Sequence, residues 1–213
     1  MMEYSYSKLE PGVYTIDRVF SPTECSEIYD EFLNPYDRIS AKREYSVSKN
    51  NPFWFCLHKG ATESGIGDNN KFISYTYRVK YLIKKILKPN FPFELERINT
   101  NIQYQYQDSP FHQDGFDGIV NGINVPKWTW TFLFFSSMTW NTEWGGEFIC
   151  ATHPRGTYRN ISYMPGRCVL FNGHLEHRGS APNCFSEKPR TTVAWTFSSV
   201  DAHIKPDATS YIS

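Results

Sequence analysis

His112 and Asp114 stand either side of one glutamine at the end of NIQYQYQDSPFHQD (Asn101 to Asp114). In an extended segment, residues two apart project from the same face, so an imidazole and a carboxylate at this spacing converge on one point. A metal ion is what usually occupies such a point, yet two protein ligands are too few for a tight site. A third must come from elsewhere. FNGHLEHRG (Phe171 to Gly179) offers His177, with His174 as its competitor. Two histidines and one carboxylate on one side of an ion leave the opposite side open to reactants. His58, His153 and His203 have no visible partner and read as ordinary surface or packed histidines.

The elements that must position these groups are short and mostly β. Gly12 to Val19 reads as a strand, and Ser21-Pro22-Thr23-Glu24 as a capping box opening a helix that Asn34 and Pro35 stop. Tyr36 to Gly67 is irregular, with a possible strand at Arg43 to Val47. It also carries an aromatic knot, Pro52 to Phe55, which either anchors a surface segment or forms part of a substrate wall. From Asp68 the apolar positions Phe72, Tyr75, Val79, Leu82, Ile83 and Ile86 recur with helical period until Pro89-Asn90. Lys80, Lys84, Lys85 and Lys88 fall largely on the other faces and read as its solvated side.

Strands are then expected near Phe93 to Tyr106, Trp128 to Ser136, Glu147 to Ala151, Arg159 to Tyr163, Cys168 to Phe171, Glu176 to His177 and Thr191 to Ser199. Gly115 to Lys127 reads as a glycine-punctuated loop, either a lid over substrate or a plain connector. Helices first and strands later suggest a β-sandwich or jelly roll with helices outside one sheet.

Composition bounds the function. Lysine and arginine number 22, as do aspartate and glutamate, so the zero net charge gives no global pull toward nucleic acid. Aromatics are 17% of the chain, yet a mean hydropathy of -0.51 and the lack of a long apolar run argue against a membrane span. No signal-peptide pattern is visible at the N-terminus. Five scattered cysteines without C-x-x-C spacing suit reduced thiols and a cytoplasmic location. At 213 residues the chain suits one domain, with 1–91 as N-terminal strand and helices, 92–200 as β core and 201–213 as tail.

Read together, these motifs resemble the Fe(II)- and 2-oxoglutarate-dependent oxygenase superfamily, most closely its prolyl-4-hydroxylase-like branch. The ordered set is His112-Gln113-Asp114, the strand Phe132 to Trp140, Gly145-Gly146-Glu147, Pro165-Gly166-Arg167-Cys168-Val169-Leu170-Phe171, His177, and Arg190-Thr191-Thr192. It spans Asn101 to Phe197, roughly half of the chain, and the order is far more specific than any one motif.

The resemblance implies a double-stranded β-helix of cupin-like jelly-roll form. It implies Fe(II) held by His112, Asp114 and His177, since the family pattern puts the distal ligand just before Arg178-Gly179. The 2-oxoglutarate co-substrate would chelate the iron and place its far carboxylate on Arg190, with Thr192 donating a hydroxyl and Tyr106 or Tyr104 a phenol. Phe134 or Phe135 stands where relatives often carry a tyrosine. The implied reaction consumes O2 and hydroxylates a second substrate, which for this branch is a peptidyl proline; other members of the scaffold act on small molecules or nucleobases. A carboxylate at Asp114 favours hydroxylation over halogenation. The alternative from another class is a non-catalytic jelly-roll binding or structural domain.

Overall fold

The computed structural model describes residues 4–33, 45–48, 51–58, 70–152, 156–201 and 203–204. In chain order these form β1 (Ser5–Glu10), β2 (Val13–Asp17), α1 (Pro22–Leu33), β3 (Tyr45–Ser48), β4 (Asn51–His58), α2 (Asn70–Leu87) and β5 (Phe93–Gln103). The second half contributes β6 (Asp117–Val120), β7 (Ile123–Pro126), β8 (Thr129–Phe135), β9 (Phe148–Thr152), β10 (Thr157–Ile161), β11 (Cys168–Asn172), β12 (His177–Gly179) and β13 (Arg190–Ser199). A large antiparallel sheet has the order β1-β2-β11-β8-β13-β5-β4-β3, and a smaller one the order β10-β9-β12.

Strand alternation sorts the large sheet into two faces. Phe132 and Phe134 of β8, Leu170 of β11, and Val193, Trp195 and Phe197 of β13 pack against Ile28 of α1 and Val79, Leu82 and Ile83 of α2. The Trp195 indole donates to Thr76 Oγ1 at 3.2 Å, fixing α2 on that face. The residues between them, Leu133 and Phe135, Val169 and Phe171, and Ala194, turn to the small sheet and meet Phe148, Cys150 and Ile161. Phe148 and Phe171, one from each sheet, lie 4.8 Å apart between ring centroids. Because these strands are covered on both sides, they read as nearly continuous apolar runs.

The capping box behaves as expected. Ser21 Oγ accepts from the Glu24 backbone N–H at 3.2 Å, and Glu24 accepts from the Ser21 N–H at 2.8 Å. Three expectations need correction. β1, which the sequence did not suggest, pairs with β2 at the sheet edge. The stretch after Asp114 is not an irregular loop but the hairpin β6–β7, turned by Asn121 (φ 52°) and Gly122 (φ 78°). Positive φ at both positions is the geometry that Asn-Gly supplies most cheaply. Third, β5 ends at Gln103 and does not reach Tyr106.

Strand β4 pairs with β5, so part of the stretch that read as irregular belongs to the large sheet. The side chains of the aromatic knot, Pro52 to Phe55, lie outside the described residues, as do the helix stop at Asn34-Pro35, Arg43, Asp68, His153, the side chain of His58 and most of the expected tail. Cys25, Cys150 and Cys168 are buried free thiols. Among the described residues no helix is long and apolar enough to cross a membrane.

Phe134 is fully buried between the sheet and α1, edge-on to Phe20 at 5.1 Å. Phe134→Ala is expected to cost about 3–5 kcal/mol, read as a lower denaturant midpoint with unchanged slope in equilibrium unfolding.

Candidate metal centre and its cavity

The H-x-D segment is stitched to β12 by its backbone. His112 N–H donates to His177 O and His177 N–H to His112 O, each at 2.9 Å, and Asp114 N–H donates to Gly173 O at 2.7 Å. This antiparallel bridge sets the imidazoles side by side with ring centroids 4.4 Å apart. One ligand atom from each of His112, Asp114 and His177 lies within 4.8 Å of the others.

Tautomers follow from the hydrogen bonds. His112 Nδ1 lies 3.0 Å from Pro110 O, and His177 Nδ1 lies 2.9 Å from Leu175 O. A carbonyl only accepts, so each Nδ1 carries the proton and each Nε2 keeps its lone pair for the centre. Burial pushes the His177 pKa down, against the pull of Asp114, which favours the neutral, metal-binding imidazole. Burial alone would raise Asp114, but the charges of His177, Arg97 and His112 and the Thr131 hydroxyl outweigh it and hold the carboxyl below its ordinary range. Two imidazoles whose Nδ1 atoms are tied to carbonyls and one carboxylate, converging from one side, fit a divalent first-row metal ion.

The carboxylate is itself held. Thr131 Oγ1 donates to Asp114 Oδ2 at 2.9 Å, and Arg97 Nη2 donates to Oδ1 at 2.6 Å. Phe171 and Phe148 pack on the His177 ring at 4.5 and 5.4 Å. His174, the rival ligand, is turned away: its Nε2 meets Lys127 O at 2.7 Å.

These groups open onto a cavity of about 290 Å³ between the two sheets. At its other side is Arg190, the first residue of β13, 2% exposed. Its Nε donates to Gly146 O at 2.8 Å and its Nη1 to Gln103 Oε1 at 2.7 Å. Gln103 is fully engaged, since its Nε2 also donates to Gln107 O at 2.9 Å and Gly179 O at 3.1 Å.

The glycines of the sequence motifs now have physical reasons. Gly146 (φ 80°) turns its carbonyl toward Arg190, and a Cβ on Gly179 would sit 2.9 Å from Arg190 Nη1. No carboxylate is paired with Arg190 in the described structure. Burial pushes its pKa down to about 10, so the group remains a cation at neutral pH. Thr192 lines the same wall, fully buried.

Tyr104 and Tyr106 are the site residues the structure does not bring in. They are 46% and 81% exposed and do not line the cavity, whereas Arg97, Asn99, Asn101 and Gln103 do. Ile102 packs in the helix-covered core, and the strand alternation stops there: Tyr104 and Tyr106 lie past the end of β5, in a turn where Tyr106 has φ 65°. The alternate residues Arg97, Asn99, Asn101 and Gln103 of R-I-N-T-N-I-Q point the other way. Polar residues at alternate positions of an otherwise buried strand were the signal that this wall lines a site.

No protein-family model matches the chain, and no curated protein matches it. Solved structures do. A viral collagen prolyl hydroxylase from Paramecium bursaria Chlorella virus-1, in complex with 2-oxoglutarate, aligns with TM-score 0.60 at 13% identity over 88% of this chain and 96% of its own. HygX from Streptomyces hygroscopicus, with nickel and 2-oxoglutarate bound, aligns with TM-score 0.61 at 14% identity over 89% and 84%. The non-heme alpha ketoglutarate dependent carbocyclase SnoK from nogalamycin biosynthesis gives TM-score 0.63 at 13% identity over 96% and 87%. The chain thus has the fold of these oxygenases, as the motif order implied.

Replacing Gln103 by leucine would leave Arg190 Nη1 buried without an acceptor. Gln103→Leu is expected to destabilise the fold by about 1–3 kcal/mol, measured by urea unfolding; no change in midpoint would show the contact to be dispensable.

Proposed function

We propose that the protein is a mononuclear non-haem Fe(II) oxygenase that couples oxidative decarboxylation of 2-oxoglutarate, giving succinate and carbon dioxide, to hydroxylation of a second substrate. The chain would be one such domain, its two sheets forming a double-stranded β-helix. The observation that carries this reading is a buried guanidinium without a carboxylate partner, sharing one cavity with a His/Asp/His cluster. A binding or structural domain has no use for that cation.

When bound, iron and 2-oxoglutarate supply the oxidative chemistry with O2. The protein's own residues do the rest. His112, Asp114 and His177 would hold the ion from one side, with Nε2 atoms presented by the two backbone-anchored rings. Arg97 and Thr131 keep the Asp114 carboxylate from turning. Arg190 would receive the far carboxylate of the co-substrate, for which a planar, permanently charged donor in a low-dielectric wall is suited. Thr192 would add a hydroxyl on the same wall. Gln103 holds the Arg190 fork in place. Leu133, Phe148, Phe171 and Ala194 supply apolar walls that keep water sparse around the reacting groups.

Retention of Asp114 favours hydroxylation over halogenation. The second substrate is not fixed by the fold: the neighbours include a collagen prolyl hydroxylase, an enzyme solved with hygromycin B bound and a carbocyclase.

Anaerobic addition of Fe(II) and 2-oxoglutarate is expected to give a weak metal-to-ligand absorption band, and admission of oxygen to release succinate. A protein showing neither is not this enzyme. Asp114→Ala should eliminate turnover. Arg190→Met should raise the 2-oxoglutarate concentration needed for half-saturation by about tenfold or more, because a charge-assisted hydrogen bond contributes about 1.5–3 kcal/mol; equal activity of the two variants would overturn the assignment of roles.

A further inference from the structure

We propose that the second substrate is a small carboxylic acid bearing an N–H or O–H donor beside its carboxylate, the pattern of a free amino or hydroxy acid, bound by Arg97 and Asn99. This rests on the oxygenase reading above and replaces the peptidyl proline implied by the sequence motifs.

The wall of β5 carries bonding capacity that the protein does not use. Arg97 commits Nη2 to Asp114 and lays its guanidinium over the Phe116 ring at 5.0 Å. Its Nη1 makes no hydrogen bond among the described residues, and its Nε is buried without a partner. Asn99 is 8% exposed and its Oδ1 is likewise buried and unpaired, as is Asn101 Oδ1. Such atoms are rarely left without partners in a native interior. The terminal torsion of an asparagine is broad, so a turn about it brings either amide atom to the cavity. Arg97 and Asn99 are two apart on one face of the strand, roughly 7 Å between Cα atoms. That spacing suits a carboxylate at one and a neighbouring donor at the other.

Charge points the same way. The charged residues of the cavity wall, besides the two histidines, are Arg97, Arg190 and Asp114. Lys127 and Glu96, close by, pair with each other at 3.2 Å. The far carboxylate of the co-substrate would answer Arg190, with Glu147 also acting on it at longer range. At the opposite end Arg97 holds Asp114, and a divalent ion bound there would meet Asp114 and a carboxylate of the co-substrate. With both bound, one positive charge would be left over there, and a substrate anion would balance it. A neutral peptide segment would not. The cavity of about 290 Å³ is at the lower end of ligand-site sizes, which suits two small molecules.

The test uses the full chain loaded anaerobically with Fe(II) and 2-oxoglutarate. The absorption band reports first whether the oxygenase reading holds; without it that reading fails, independently of any substrate. α-Amino and α-hydroxy acids, their carboxamides and a short proline-containing peptide are then titrated, followed by the shift of that band and by calorimetry.

Acids are expected to bind at least about tenfold more tightly than the matching amides, the scale of one charge-assisted contact. Arg97→Lys should keep that preference, and Asn99→Asp, which sets a carboxylate beside Arg97, should abolish it. A band-forming protein that binds no acid, binds acid and amide alike, or favours the peptide overturns the proposal, as does an Asn99→Asp protein that retains the preference.

Discussion

Two backbone hydrogen bonds between His112 and His177 hold the site together. They join the segment arriving from β5 to the short strand β12, and so bring side chains distant in the chain to one point. The bridge also fixes ring orientation, because each imidazole then finds a carbonyl two residues earlier for its Nδ1. Once that proton is placed, the free Nε2 atoms have one direction to face. The convergence of these side chains is thus a consequence of sheet pairing, with the side chains completing what the backbone registers.

The large sheet divides its labour by alternation. Its outer face is an aromatic and aliphatic layer under α1 and α2, and its inner face is part core and part cavity wall. The boundary between core and wall runs within single strands. On β13, Arg190, Thr192 and Ala194 line the cavity, whereas Val193 and Trp195 are packed under the helices. A rigid apolar layer on one side gives polar groups on the other a fixed backbone to stand on.

Electrostatics then separates the ends of the cavity. Arg190 sits on the wall row opposite Gln103, and Arg97 sits six residues along the same β5, in contact with Asp114. One guanidinium is bound only to neutral acceptors and the other to the carboxylate of the cluster. The two cations therefore ask for different partners. In the proposed reading this asymmetry would separate a co-substrate end at Arg190 from a substrate end at Arg97.

Much of this was readable from the chain. The H-x-D spacing, the distal His177, and Arg190 opening the last strand are local patterns, and local patterns survive into the fold because strand periodicity is set by backbone geometry. The capping box at Ser21 and the helical stripe from Tyr75 to Ile86 are of the same kind. The Asn121-Gly122 hairpin was also legible, and was missed because the flanking residues do not alternate cleanly. What sequence did not decide was which face of β5 looks inward. Tyr104 and Tyr106 carry suggestive hydroxyls but lie past the end of β5, and which face of that strand turns inward depends on the helices that cover the other, α1 and α2, distant in the chain. The same holds for His174 against His177: three residues separate them, and the hydrogen bond to Lys127 O that turns His174 away exists only after folding. Sequence determined the kinds of groups and their local spacing; tertiary pairing alone decided which of them meet, because register between distant strands is set by the packing of whole faces.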